Sequence, residues 1–397
     1  MRVFLSVLGA LCVLCGEPAA GVRAARSQEP AAPQPVSAAQ LQAAINKLGD
    51  LDYATRTEAS RTVRRSPSAQ AVPALIQAVA EHADGYVRYR ALVLLTGFND
   101  PRTKDSMRES LSSPNDRLRT VAYSFFERNP DPAMVPPLLT ALDKELAEFV
   151  RPALVRALAA NGTDPRVRQA LQREVGRGED FFRSAVIEAL GDYKAAFAFD
   201  ALTAVANLDG PLQDDAALAL GKIGDKRALE TLAAIQRTAP RQSQPAIAAA
   251  ICLLGVNCAS HHGYLVEVLK FSNQTAGFQE LLRGAAAGLA ALGVAGHAEA
   301  VASLFEIGIP SADPTRAPVA LALGTIALRA TPLMMTTLEQ HPNREKAIAL
   351  LAEGFDMLQE DLDKERFFAL ARRTYWDSPE RSPRRALMQT LIGQLDF

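Results

Sequence analysis

Arginine recurs along this chain at a nearly constant spacing, and this period constrains the fold more than any other feature. Four arginines, each just before an apolar run with helical spacing, are 31, 32 and 32 residues apart: Arg88, Arg119, Arg151 and Arg183. Aspartates follow these runs with a similar period: Asp100, Asp131, Asp164, Asp192 and Asp225. Such a period is typical of chains in which each unit buries its apolar face against its neighbours.

Each period contains two helical segments, which we call the first helix, after the repeated arginine, and the second helix, after the repeated aspartate. Glycines such as Gly191 and Gly255 fall where the first helix should end, a place where glycine accepts a left-handed conformation. The aspartate that follows would cap the second helix, and proline comes directly after it in Asp164-Pro165. Every unit is therefore predicted to be a helical hairpin.

The apolar motifs identify the type of repeat. AVPALIQAV starts at Ala71 and VPPLLTAL at Val135, and the ending ALG occurs at 189–191 and 219–221. These motifs resemble HEAT-like repeats in their short form, the phycobilisome lyase type. The resemblance implies an all-α fold, an α-solenoid of stacked helical hairpins. It implies little about activity, because this fold serves scaffolds, adaptors and a few enzymes.

The ends of the chain differ from the repeats. Residues 1–24 have a basic start and an apolar run of 13 residues, too short to span a bilayer, which predicts a cleavable signal peptide rather than an uncleaved anchor. Residues 25–39, rich in Ala, Pro and Gln, are predicted to be a flexible linker. The solenoid should occupy 40–341 in about nine units. Residues 342–397 are predicted to be a helical C-terminal cap, which covers the apolar face of the last unit.

The two periodic series of charged residues have two interpretations. The arginines could form a charged surface for an acidic ligand. Alternatively, both series form a structural ladder, in which repeated arginines and aspartates hydrogen-bond between neighbouring units. We favour the structural ladder, because both residue types recur with the same period.

Cys252 and Cys258 are the only cysteines that remain after removal of the signal peptide. A disulfide across the turn between them suits an oxidising compartment, and two free buried thiols are the alternative. A zinc site with His261 and His262 would be a third arrangement, but the spacing matches no standard zinc pair. We therefore expect no metal site, and a disulfide is the candidate.

The sequence carries no recognised catalytic signature, neither a nucleophile elbow nor a phosphate-binding glycine loop nor a metalloprotease helix. We therefore expect a protein that is not an enzyme and needs no cofactor. Mixed charges with a net charge of −1 offer no basic surface for nucleic acid.

The function expected from these features is an exported scaffold or adaptor, periplasmic or secreted, without a transmembrane segment once the signal is removed. It would bind a protein or peptide on a concave surface lined by the second helices. The alternative, implied by the resemblance, is a lyase or accessory subunit that acts on a protein-bound chromophore.

Overall fold

A computed structural model describes residues 36–274 and 277–395, which contain 22 α-helices and no strand. The predicted signal peptide at 1–24 lies outside the described residues. The first ten helices are α1 Ala38–Asn46, α2 Tyr53–Arg65, α3 Ser68–Glu81, α4 Gly85–Leu95, α5 Arg102–Ser110, α6 Asp116–Arg128, α7 Val135–Lys144, α8 Arg151–Ala159, α9 Pro165–Glu174 and α10 Asp180–Asp192. The next twelve are α11 Phe199–Ala206, α12 Gln213–Ile223, α13 Ala228–Gln236, α14 Gln244–Leu253, α15 Cys258–Gln274, α16 Gln279–Val294, α17 Ala298–Gly308, α18 Arg316–Arg329, α19 Thr331–Gln340, α20 Arg344–Met357, α21 Asp361–Asp377 and α22 Pro383–Leu395.

The helices form two layers, one of even-numbered helices and one of odd-numbered helices up to α19, and helices that follow each other in the chain pack together. The even-numbered helices from α4 to α20, which include the predicted first helices, pack side by side along one layer. This arrangement confirms the predicted all-α solenoid of helical hairpins.

Small residues let the even-numbered helices approach closely. A Cβ atom added to Gly191 would lie 2.8 Å from the Cα atom of Ala219 on the next helix of that layer. Gly191 therefore serves close packing inside α10, and the prediction that it takes a left-handed conformation at a helix end is wrong. Gly255, with a φ of 79°, does adopt that conformation in the turn that follows α14.

The layer of even-numbered helices is the inside of a curve. α21, at about 1.5 Å per residue, is roughly 25 Å long, yet it contacts α4 and α6 near one end of the array and α18 near the other. Arg329 of α18 also donates a hydrogen bond of 3.3 Å to Glu127 of α6. The first helices therefore line the concave face, and the expectation that the second helices do so is wrong. Alanine and glycine on the first helices permit the shorter spacing that the inside of a curve requires.

The chain ends differ in detail from their predicted boundaries. Ser37 caps α1, which begins at Ala38, so the expected linker ends before residue 39. The expected boundary at 341 falls between α19 and α20, and α20 packs on α18, so the concave layer continues past that boundary by one helix. Only α21 and α22 depart from the repeat, and α22 packs against α19, α20 and α21.

Within the described ranges, no single helix is long and apolar enough to cross a membrane. The helices Arg316–Arg329 and Thr331–Gln340 meet the length and composition criteria only as a pair, and they are bent by 118° at their junction.

Candidate functional site

Acidic side chains at the start of α21 dock onto the concave face. Asp361, Asp363 and Glu365 alternate along the first turns of this helix, where carboxylates also interact favourably with the helix dipole. Asp363 accepts hydrogen bonds of 2.9 and 2.6 Å from Arg128 of α6. Glu365, only 1% exposed, accepts bonds of 3.0 and 3.2 Å from Arg64 of α2.

Asp361, the first residue of α21, binds side chains of α4. Asp361 accepts a hydrogen bond of 2.9 Å from Arg90 and another from the hydroxyl of Tyr89. Burial and the nearby carboxylate of Asp361 both raise the pKa of Tyr89, so the phenol stays protonated and acts as a donor. Three consecutive helices of the concave layer, α2, α4 and α6, thus hold one acidic segment of the same chain.

Glu127 of α6 is the centre of a second group of charges on the concave face. Its Oε1 atom accepts hydrogen bonds of 2.9 Å from Arg156 and 2.8 Å from Tyr193. Arg156 also binds Asp192 at 2.8 Å, and Lys222 binds the same aspartate at 2.7 Å. The concave layer is therefore connected by ion pairs from α6 through α8 and α10 to α12.

The pKa values of two carboxyl groups reflect these partners. Burial on its own would raise the pKa of Glu365, but the guanidinium groups of Arg64 and Arg372 outweigh burial and lower the pKa to about 2. Burial would likewise raise the pKa of Asp192, and Lys222 and Arg156 lower it to about 2. Both carboxylates are therefore charged, and both are fully paired, at neutral pH.

Beside α21, the concave face contains a groove of about 780 Å³, which we call the inner groove. Its walls come from α4, α6, α8 and the connection that leads into α21, with these residues among them: Tyr86, Tyr89, Arg117, Thr120, Phe149, Ala153, Arg156, Arg329 and Leu358. The groove combines aromatic and apolar side chains with three arginines and five carboxylates, Asp116, Glu127, Glu360, Asp361 and Asp363.

Arg117 is the cation of the inner groove that remains available. Its guanidinium lies 5.2 Å from the ring centre of Tyr86 and 5.5 Å from that of Tyr89. The side chain is exposed, and across residues 36–274 and 277–395 it forms no ion pair. Contact with the two rings restricts the position of the charge at the wall of the groove.

The connection between α7 and α8 forms the rim of the inner groove. It carries two large apolar side chains in water, Leu146 with 89% exposure and Phe149 with 86%. A further groove of about 700 Å³, lined by Tyr123, Pro137 and Leu146 among others, lies on the other side of this connection. Exposed apolar side chains between two grooves are typical of a surface that binds another protein.

The repeated arginines do not pair with the repeated aspartates, so the predicted pairing between neighbouring units is wrong. Arg88 donates a hydrogen bond of 2.7 Å to the carbonyl oxygen of Val79, and Arg183 one of 3.0 Å to that of Val175. Arg119 binds Glu145 at 2.7 Å. These contacts fix the ends of outer helices, because carbonyl groups there lack partners within the helix.

Arg151 makes the longest contact of the series, an ion pair of 3.9 Å with Glu174 at the end of α9. Its guanidinium lies 3.7 Å from the ring centre of Phe182 on α10, so it stabilises the contact between neighbouring units by stacking. Arg316 makes the same kind of contact as this series, because it donates a hydrogen bond of 3.1 Å to the carbonyl oxygen of Gly308. The sequence pattern missed it because the spacing changes after residue 274.

Four of the five repeated aspartates cap the following helical segment, as the turn chemistry predicts. Each accepts a hydrogen bond of 2.8 to 2.9 Å from the backbone nitrogen two residues later: Asp100, Asp131, Asp164 and Asp225. Asp192 is different. It is the last residue of α10 and pairs with Arg156 and Lys222 on the concave face, so its assignment to the capping series is wrong.

Cys252 and Cys258 are joined by a disulfide in the structure, with their Cα atoms 4.1 Å apart. The turn between α14 and α15 brings them together, because Gly255 and Asn257 both take left-handed conformations there. His297, just before α17, comes within 3.9 Å of the Cys258 Sγ atom. These three side chains place one ligand atom each within 4.8 Å of one another.

The histidines that the sequence placed beside these cysteines have other surroundings. His262 lies 3.3 Å from the hydroxyl of Ser303, and partial burial lowers the pKa of His261. The sequence gave no signal for His297, which follows Cys258 by 39 positions. Only the stacking of α17 on the preceding unit brings it there.

The two layers of stacked hairpins and the curved inner face define an α-solenoid. A family model described as HEAT repeats matches residues 41–126, which correspond to α1 through α6. This part of the chain is similar to HEAT repeats, and the hairpins that follow continue the α-solenoid architecture to α20. No curated protein matches the sequence significantly.

Solved structures with similar architecture have low identity to this chain. YibA of E. coli is 18% identical, with a TM-score of 0.41, over 54% of this chain and 81% of its own. The complex of CpcE and CpcF of phycocyanin lyase from Nostoc is 19% identical, with a TM-score of 0.35, over 63% and 93%. Importin beta is 15% identical, with a TM-score of 0.40, over 89% and 55%. These values concern the fold alone.

Proposed function

We propose that the chain is an exported, non-catalytic scaffold whose inner groove binds an acidic and apolar segment of a partner protein. The observation that carries this proposal is the docking of α21. Three helices of the same concave face bind three carboxylates of the chain's own acidic segment with Arg64, Arg90 and Arg128. Arg117 in the neighbouring inner groove would bind a carboxylate of an external segment by the same chemistry.

Charge complementarity specifies the partner segment. Arg117 would pair with a carboxylate of the partner, because arginine binds carboxylates with directional, charge-assisted hydrogen bonds. Phe149 and Tyr86 would contact an apolar side chain next to that carboxylate, and aromatic side chains of this kind dominate the energetics of protein interfaces. Each of the five carboxylates that line the groove pairs with an arginine, which reduces their repulsion of an acidic partner: Asp116, Glu127, Glu360, Asp361 and Asp363.

Two sequence features support the remaining parts of the proposal. The signal-like segment at 1–24 supports export to the periplasm or outside the cell. The missing catalytic signatures support a binding role without turnover.

The proposal is tested by selecting peptides from a random displayed library on the intact chain. We expect an enriched consensus in which Asp or Glu stands beside Leu, Ile or Phe. The variants Arg117→Glu and Phe149→Ser should each weaken binding of the selected peptides by about tenfold or more, because each removes an anchor of the contact.

The matched control is Arg373→Glu, which makes the same charge change at an exposed position of α21. It should leave the affinity within about twofold, since an exposed charge outside the contact contributes little. If no consensus is enriched, or if Arg117→Glu and Arg373→Glu have equal effects, the proposed groove is not the binding site.

A further inference from the structure

The meeting point of α14, α15 and α17 contains two sulfur atoms and one imidazole in a half-buried position. Cys252 is 1% exposed and comes from the end of α14, and Cys258 is the first residue of α15. His297 extends from the turn before α17, and its Nδ1 atom is 3.9 Å from the Cys258 Sγ atom. The scaffold positions all three side chains, because each is in or next to a packed helix.

A fourth group, Glu299, lies beside His297 but outside the set of three ligand atoms that are within 4.8 Å of one another, so its exposed carboxylate would turn toward the sulfur atoms to join them. The Oε1 atom of Glu299 lies 3.1 Å from the His297 Nδ1 atom. In a tetrahedral zinc site, metal–sulfur distances of about 2.3 Å and metal–nitrogen distances of about 2.0 Å put neighbouring ligand atoms roughly 3.3–3.8 Å apart. The two observed distances, 3.9 and 3.1 Å, are close to this range. A small adjustment of exposed side chains would bring both to it.

We propose that Cys252, Cys258, His297 and Glu299 form a binding site for Zn²⁺ or a similar thiophilic divalent cation when the two cysteines are in the dithiol form. Two thiolates and an imidazole are the donor set that zinc prefers over calcium or magnesium. Binding releases the two thiol protons to solvent, and both sulfur atoms become metal ligands.

The disulfide and the metal site exclude each other. Each sulfur atom of the disulfide is bonded to its partner and offers no thiolate to a metal. A dithiol or phosphine reductant supplies the two electrons that convert the disulfide to two thiols, with two protons from solvent. The oxidation state of this one turn therefore decides whether the protein binds the cation.

This inference is independent of the proposed function. The cluster lies between α14 and α17, whereas the inner groove is formed by α4, α6, α8 and the start of α21. None of the four proposed ligands lines that groove, so one proposal can fail while the other holds.

The test uses Co²⁺ as a spectroscopic probe with the intact chain, reduced by a phosphine that is then removed without oxygen. We expect one equivalent of Co²⁺ to produce a thiolate-to-cobalt charge-transfer band and the visible bands of a tetrahedral site, and Zn²⁺ to abolish both. The untreated disulfide form should show neither band. A reduced wild-type chain that gives no such bands would overturn the proposal.

Two histidine variants distinguish this ligand set from the one suggested by position in the sequence. His297→Ala should weaken Co²⁺ binding by more than about tenfold, since even the loss of an outer partner of a ligand costs that much. His261→Ala, at a position three residues after Cys258, should bind as the wild type does. Circular dichroism of both metal-free variants checks that they are folded. Equal binding by His297→Ala and wild type, or loss only in His261→Ala, would contradict the proposed site.

Discussion

Arg128 and Asp363 are 235 positions apart in the sequence and are joined by two hydrogen bonds, of 2.9 and 2.6 Å. In an ordinary solenoid each unit contacts only its neighbours, so stability is a sum of local terms. This pair and the neighbouring contacts of Arg64 and Arg90 add a connection between the two ends of the array. A change at the start of α21 should therefore affect units far away in the sequence.

Glu365→Gln should strongly destabilise the protein. The side chain is buried, and both Arg64 and Arg372 lose the carboxylate that they share, which leaves buried positive charge. Breaking a buried pair in this way costs about 3–5 kcal/mol. Urea denaturation followed by circular dichroism measures the change in the free energy of unfolding.

The control for this variant is Glu58→Gln, which removes an exposed ion pair with Arg61. It should cost less than about 0.5 kcal/mol, because solvent screens the pair. Equal effects of the two substitutions would show that the docking of α21 contributes no stability.

Asp215→Asn should stabilise the protein at neutral pH. Burial, together with the nearby carboxylates of Asp214 and Glu188, raises the pKa of Asp215 to about 6. The folded state then holds a proton that the unfolded state has lost, so stability falls as the pH rises from about 4 to about 6. Asparagine cannot ionise, and we expect a gain of about 1–2 kcal/mol at pH 7, discounted for partial exposure.

The gain should nearly vanish near pH 4, where the wild-type carboxyl group is already protonated. Thermal or urea unfolding at both pH values measures this difference. Asp209→Asn, at a turn outside the array's interior, removes the same charge and controls for net charge. A gain that is independent of pH would mean that Asp215 does not titrate as described.

Gly191→Ala should destabilise the array by overpacking. The new Cβ atom would meet the backbone and side chain of Ala219 at 2.8 and 2.9 Å, so α10 and α12 must separate. Overpacking of this kind costs about 1–3 kcal/mol. The matched control is Gly210→Ala, where no atom lies within 4 Å of the added Cβ. Comparing the unfolding midpoints decides whether close approach is the reason for glycine at 191.

The disulfide between Cys252 and Cys258 stays a prediction for the protein in its native compartment. The loop it closes is short, so it should contribute on the order of 2 kcal/mol or less to stability. Intact mass after alkylation, with and without prior reduction, measures it. Two cysteines alkylated before reduction would show that the protein contains free thiols.

The hairpins were predictable because their chemistry is local. Capping by Asp100 or Asp164 depends on residues two positions away, and apolar spacing alone identifies both helices of a unit. The docking of α21 was not predictable in this way. It depends on curvature that accumulates from small spacings between many units, and only then does Asp363 reach Arg128. His297 was missed for the same reason, since its neighbours come from another unit.

The connection made by α21 has a mechanical consequence. A solenoid that is open at both ends is elastic, because small changes in the packing between units add up along its length. Here a helix spans the opening of the coil and ties α4 and α6 to α18, so elongation must first pull carboxylates away from their guanidinium partners. This connection holds the curvature of the solenoid constant when force is applied. A partner would therefore meet a concave face whose width is set before binding.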